Sequence, residues 1–254
     1  MSNVVRRNSK MFDRVTRTWN PCIIYPCYFN CIYCWTRYFI EKKLLNSPAG
    51  KLYRQYYGKP TLIEERLKVR FREGEFVFVQ DVGDLFAPNV PDEYIIEVFR
   101  IIARNRHATF LLLTKNPRRY LDYVYEVDLL LEMDNVLLGT TIETDNTWLY
   151  LERKISKAPA PDARIAAMLH LRMIGFRNLF ISIEPVIDFN LKVFAEHLVK
   201  IEPAIVYVGY DNYGILRKLK IPEPPLNKTL ELIDILKQHG IEVRTKTLRK
   251  AWNE

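Results

Sequence analysis

Long apolar runs are missing from this sequence. Stretches such as Phe110-Leu111-Leu112-Leu113 are soon bounded by charge, and none approaches the ~20 residues that a membrane span needs. Met1-Ser2-Asn3-Val4-Val5-Arg6-Arg7 lacks the apolar centre of a secretory signal. The expectation is a cytoplasmic protein with no membrane partner. There is no G-x-x-x-x-G-K-[ST] phosphate loop, no G-x-S-x-G elbow and no His-Glu-x-x-His, which argues against the common nucleotidase and hydrolase chemistries. The four histidines, His107, His170, His197 and His239, have no mutual metal spacing and read as structural. Cysteine is scarce too, four residues in 254. A chain of this length buries a full core without disulfide staples.

Apolar residues make up 48% and charged residues 27%, the balance of a globular protein. No repeat, low-complexity tract or interdomain linker interrupts it. One domain over 1–254 is therefore expected, with a basic N-terminal arm over 1–18 and an insertion-like segment over 44–70. Lysine and arginine number 38 against 30 acidic residues, a net charge of +8. Basic residues recur near both ends: Arg6, Arg7, Lys10, Arg14 and Arg17, then Arg244, Lys246, Arg249 and Lys250. That pattern reads either as a footprint for nucleic acid or another polyanion, or as an ordinary solvated surface.

Apolar, β-rich runs alternate with amphipathic segments along the chain. Strands are predicted at Cys22–Pro26, Phe76–Asp81, Thr109–Thr114, Val136–Ile142, Leu179–Ile183, Ile205–Val208 and Glu242–Thr247. Helices are predicted over Asp92–Arg104, Asp162–Ile174 and Thr229–Gln238, the last two closed by Gly175 and Gly240. Continuous apolar strands suit a parallel sheet covered on both faces. About six strand–helix units give an α/β fold, with too few repeats for a closed eightfold barrel. An open, partial parallel β/α barrel or a doubly wound sheet fits that count.

All four cysteines fall in one window, C-I-I-Y-P-C-Y-F-N-C-I-Y-C, from Cys22 to Cys34. Thiols packed this closely outside an oxidising compartment point to metal, and thiolates suit zinc or iron–sulfur centres. One zinc held by all four is one reading. A structural zinc site, however, usually draws on two separated pairs, and no second pair or nearby histidine exists here.

The last three cysteines, Cys27, Cys31 and Cys34, read C-x3-C-x2-C with Tyr33 before the final thiol. They lie between a predicted strand and a predicted helix. Here the sequence resembles the radical S-adenosylmethionine superfamily, whose signature is C-x3-C-x-aromatic-C after the first barrel strand. The resemblance implies the partial barrel as the fold and a [4Fe-4S] cluster on Cys27, Cys31 and Cys34. It also implies S-adenosylmethionine on the remaining iron and reductive cleavage to a 5′-deoxyadenosyl radical. An external electron donor is then a necessary partner. Cys22 is left over, as a buried apolar residue, a substitute ligand or a hydrogen donor.

The resemblance reaches further positions and is closest to spore photoproduct lyase-like and small phage-encoded relatives. Gly83-Asp84 follows the second predicted strand, where the superfamily often has Gly-Gly-Glu facing the methionine amino group. Lys115, after the third, is similar to the lysine that pairs with the cofactor carboxylate in that subgroup. Thr141 and Glu143, at the end of the fourth, resemble its Ser/Thr-Ile segment, with Glu143 a candidate for the ribose. Arg164 lies in a stretch similar to its Ala-Pro…Arg-Leu segment, and Glu184 in Ser182-Ile183-Glu184-Pro185 at the end of the fifth strand. Both are pocket candidates, or else a helix cap or a buried ion pair. Tyr25, Tyr28, Phe29 and Tyr38 flank the thiols as shielding or core aromatics. The substrate expected on this basis is nucleic acid or a nucleotide-like molecule. The alternative from a different class is a nucleic-acid-binding module with structural zinc on the four cysteines, and a third is a cluster protein that only moves electrons.

Overall fold

The computed structural model describes residues 12–127 and 133–254. Seven strands form one all-parallel sheet in the order in which they occur along the chain. They are β1 (Arg17–Trp19), β4 (Phe76–Val79), β5 (Thr109–Thr114), β6 (Val136–Thr141), β7 (Leu179–Ile183), β8 (Ile205–Val208) and β9 (Glu242–Thr245). A small separate hairpin-like sheet pairs β2 (Cys22–Ile23) with β3 (Thr61–Leu62) in antiparallel register, Cys22 opposite Leu62. The helices are α1 (Trp35–Phe39), α2 (Lys51–Gln55), α3 (Glu64–Leu67), α4 (Asp92–Ala103), α5 (Arg118–Val127), α6 (Thr147–Glu152), α7 (Pro161–Met173), α8 (Leu191–Ile201), α9 (Ile215–Lys218) and α10 (Leu226–Gln238). Strand order following chain order is the topology of a singly wound barrel. The edge strands β1 and β9 do not pair with each other, so the barrel is open, as expected.

The two-residue period of the strands divides the core. Val77, Val79, Phe110, Leu112, Ile181, Val206 and Val208 join helix residues such as Ile95, Phe99, Met168, Leu198 and Leu232 in the larger core. Their alternates, Phe78, Leu111, Phe180 and Tyr207, share the other face with Phe12 and Val15. On α4 the fully buried Ile95, Val98, Phe99 and Ile102 mark the apolar stripe, each worth at most about 1.5–3 kcal/mol of burial.

The first sheet strand differs from expectation. Cys22–Pro26 is not in the main sheet: Arg17–Trp19 pairs there, with Thr18 opposite Phe78, and Cys22–Ile23 belongs to the small sheet. Pro21 separates the two. Residues 1–11, with Arg6, Arg7 and Lys10, lie outside the described residues. The described end of the 1–18 segment packs against the sheet. The Phe12 ring lies 5.6 Å from Phe78, 5.0 Å from Phe180 and 4.8 Å from Tyr207. Asp13 accepts hydrogen bonds from Tyr207 and Arg244, and Arg14 meets Glu242 at 3.4 Å. The chain entering β1 thus crosses to β8 and β9 and spans the opening between the sheet edges. The segment 44–70 carries α2, β3 and α3 and is tied back through β3 to β2.

Candidate active site

The strands deliver their C-terminal ends to one cavity of about 960 Å3, the position where open α/β sheets bind ligands. Cys27, Cys31, Cys34, Tyr33, Gly83, Asp84, Lys115, Thr141 and Glu184 all line it. The folding of the cysteine loop explains the three thiols. Asn30 adopts left-handed φ of 47°, and its N–H bonds the Cys27 carbonyl at 3.2 Å, while the Cys34 N–H bonds that of Cys31 at 3.2 Å. Two tight turns therefore present the thiols from one loop. A second segment clamps that loop from behind: the Ile32 N–H reaches the Ile155 carbonyl at 3.0 Å, and the Lys157 N–H reaches the Phe29 carbonyl at 2.8 Å.

Among the described residues, no three or more His, Cys, Asp or Glu side chains converge as they would about one metal ion. A single zinc requires all its thiolates within about 2.3 Å of one centre. A multi-iron cluster needs only one thiolate per iron. The three thiols share one wall, and each is close enough to the others to act on them: burial pushes the Cys27 thiol up to about 12, with Asp84, Cys31 and Cys34 adding to the rise. Burial also raises Cys31, partly opposed by Lys115 and Ser156. Three soft donors on one cavity wall fit a cluster with one uncommitted iron. Cys22 takes no part in this wall. It is fully buried in the core, and burial lifts its thiol to about 12. It therefore stands apart from the set that a four-cysteine zinc site would need.

Gly83 has φ of +91°, and a Cβ there would lie 2.4 Å from the Ile24 carbonyl oxygen. Only glycine lets this turn pass so close to the segment leading into the cysteine loop. Asp84 organises the neighbouring strand end. It accepts the Thr114 hydroxyl at 2.7 Å, the Lys115 N–H at 2.8 Å and the Phe86 N–H at 3.0 Å. Burial raises its pKa, and these three donors hold the rise in check.

Glu143 and Arg164 do not line the cavity. They form a fully buried ion pair behind it, Arg164 Nη1 to Glu143 Oε2 at 2.8 Å. Tyr33 donates its hydroxyl to the same carboxylate, and Lys115 Nζ lies 3.5 Å from Glu143 Oε1 and 5.2 Å from the Tyr33 ring centroid. Burial works to raise the Glu143 carboxyl, but Arg164, Lys115 and Tyr33 together keep it below the ordinary value. Glu143, expected as a candidate for the ribose, here meets the Tyr33 hydroxyl and the Lys115 ammonium. Arg164, expected in the pocket, sits over the Tyr150 ring at 4.9 Å.

The cavity lining also includes residues that the sequence reading did not single out as site residues: Asp13, Gln80, Tyr207, Asn212 and Lys246. Lys246 pairs with Glu184, which also lies 3.4 Å from Asn212 Nδ2. Lys246 directly follows β9, so the strand-end rule applied to the last strand would have found it. Gln80 carries no such signal. Its φ of 59° and its hydrogen bonds to both Cys22 backbone groups, at 3.1 and 3.3 Å, appear only in three dimensions. Of the flanking aromatics, Tyr25 and Phe29 are buried and Tyr28 is exposed; the side chain of Tyr38 lies outside the described residues. None of the four histidines lines the cavity.

A family model described as a protein of unknown function, DUF5131, matches residues 11–209. No curated protein matches the chain. Among solved structures, a mutant spore photoproduct lyase with bound AdoMet and dinucleoside spore photoproduct superposes with a TM-score of 0.58 at 10% identity, over 97% of this chain and 81% of that one. Streptococcus suis SuiB bound to precursor peptide SuiA superposes with a TM-score of 0.53 at 13% identity, over 90% of this chain and 48% of that one. At these identities the likeness is one of fold: the open parallel barrel of the radical S-adenosylmethionine type.

Proposed function

The chain belongs to the DUF5131 family, and from that premise and its cavity we propose that it is a radical S-adenosylmethionine enzyme related to the spore photoproduct lyase-like group. The observation that carries the reading is the convergence of Cys27, Cys31 and Cys34 with the ends of six parallel strands, β4 to β9, on one cavity. A [4Fe-4S] cluster bound there with S-adenosylmethionine would supply the electron that splits the sulfonium bond, leaving methionine and a 5′-deoxyadenosyl radical for hydrogen abstraction or addition.

The chain's own groups bind and orient. Cys27, Cys31 and Cys34 would hold three irons, and Asp84, carried by the turn at Gly83, would be the acceptor for the cofactor's amino group. Lys115 presents its ammonium to the cofactor's carboxylate, tethered by Glu143 so that little side-chain freedom remains to be lost on binding. Thr141 offers a hydroxyl from the end of β6, and Tyr33 closes the cavity behind it. Glu184, with Lys246 and Asn212, faces the substrate side. Arg164 neutralises Glu143 and keeps that carboxylate charged in the interior.

The substrate assigned on this reading is nucleic acid or a nucleotide-like molecule, supported by the net charge of +8. The spore photoproduct lyase above was solved with a dinucleoside. Anaerobic reconstitution with iron and sulfide, electron paramagnetic resonance and an assay for 5′-deoxyadenosine test the enzyme. Four irons per chain and deoxyadenosine formation after reduction are expected, and both survive Cys22→Ala but not Cys31→Ala. One zinc per chain, lost with Cys22→Ala, and no deoxyadenosine would overturn the reading.

A further inference from the structure

The Cys31 sulfur has a neighbour outside the cysteine loop. Ser156 Oγ lies 3.1 Å from Cys31 Sγ, at the centre of the clamp made by Ile155 and Lys157. The same hydroxyl points to the Phe29 carbonyl at 3.0 Å and accepts the Ala158 N–H at 3.0 Å. A serine has one proton to give. In the metal-free protein it goes to Phe29, and the Cys31 thiol donates to Ser156. The Phe29 carbonyl is not dependent on it, because the Lys157 N–H already reaches it at 2.8 Å. When Sγ carries iron it has no proton to donate, and the serine proton is free to turn to the sulfur without orphaning a buried group.

We propose that Ser156 is a positioning residue for the cluster, donating a hydrogen bond to the iron-bound Cys31 sulfur and raising the cluster's midpoint potential. The inference rests on the cluster reading above. A donor to a ligating sulfur withdraws electron density and stabilises the reduced form, which carries one more negative charge. The neighbouring backbone ladder fixes Ser156 beside Cys31, so its hydroxyl serves that sulfur, while the Phe29 backbone acts on Cys27.

The test is a redox titration of reconstituted protein followed by electron paramagnetic resonance, with iron and sulfide content measured first. Ser156→Ala is expected to hold a full cluster with a more negative midpoint, and Ser156→Thr to stay near the native value. Threonine and valine have nearly the same volume, so Ser156→Thr against Ser156→Val isolates the hydroxyl if alanine perturbs the loop. A midpoint unchanged in both Ser156→Ala and Ser156→Val, at full cluster content, would overturn the role of the serine alone. Native protein that takes up no iron would overturn this inference and the cluster assignment together.

Discussion

At the level of single residues, the site depends on a carboxylate that never reaches it. Glu143 gathers the Tyr33 hydroxyl, the Lys115 ammonium and the Arg164 guanidinium around one buried charge. Removing that charge leaves a buried arginine without its counter-ion, a loss of roughly 3–5 kcal/mol. Glu143→Gln keeps the shape and an acceptor oxygen, so the expected loss lies near the lower end, about 3 kcal/mol. Urea denaturation measures it as a lower midpoint at unchanged slope. The effect also has a pH signature. Because the carboxyl is held below its ordinary value in the fold, its contribution is complete above the unfolded pKa of about 4.3 and vanishes as pH falls through the lower folded value. Native and Glu143→Gln proteins should therefore converge in stability in acid and differ most near neutrality. A constant difference across that range would show that packing, not charge, matters at this position. A buried ion pair was one reading of Arg164, but its partner was not legible in sequence. Glu143 and Arg164 are separated by α6 and the turn into α7, and each alone reads as a pocket charge.

Whole elements were easier to read where the physics is local. Thr109–Thr114, Leu179–Ile183 and Ile205–Val208 are continuous apolar runs, as strands covered on both faces must be, and they have those bounds in the fold. Arg17–Trp19 escaped because three residues, one charged, carry no period, and its strand state is set by pairing with β4. The apolar Cys22–Pro26 run attracted the assignment instead. The grouping of Cys27, Cys31 and Cys34 on one cavity was legible because it is local in sequence, whereas the 155–157 clamp behind it is a contact between segments more than 120 residues apart. The chain entering β1 is the other non-local element. Phe12, buried against Phe78, Phe180 and Tyr207, fills the face of the sheet that no helix covers among the described residues and lines the cavity. Phe12→Ala should cost about 3–5 kcal/mol, read from chemical denaturation. Far-UV circular dichroism should be preserved, since the helices pack on the opposite face. A loss below about 1 kcal/mol, within the range of ordinary surface substitutions and small repacking, would mean that this segment merely rests on the sheet.

At the scale of the whole molecule, an open sheet leaves its cavity accessible from one side, and the charge around that entrance decides what approaches. The net charge of +8 favours a polyanion at long range, but the cavity itself is mixed, with Lys246 balanced by Glu184 and Lys115 by Glu143. The two scales therefore make different demands. Attraction of a nucleic acid should come from the exposed lysines and arginines outside the cavity. The reacting unit should then meet aromatic and hydrogen-bonding groups inside, Tyr207 and Asn212 among them. Binding of single-stranded DNA or RNA should consequently weaken as salt rises, with a slope in log–log form of about −0.7 per phosphate neutralised. Replacing an exposed lysine outside the cavity should reduce that slope by close to one phosphate contact. Lys246→Ala, by contrast, should leave the slope nearly unchanged, because its charge is already spent on Glu184, and should act on turnover of a bound substrate. Fluorescence anisotropy across a salt series separates the two effects. Affinity that ignores salt would remove nucleic acid as the substrate class while leaving the cluster chemistry intact, and a peptide or small metabolite would then take its place in the cavity.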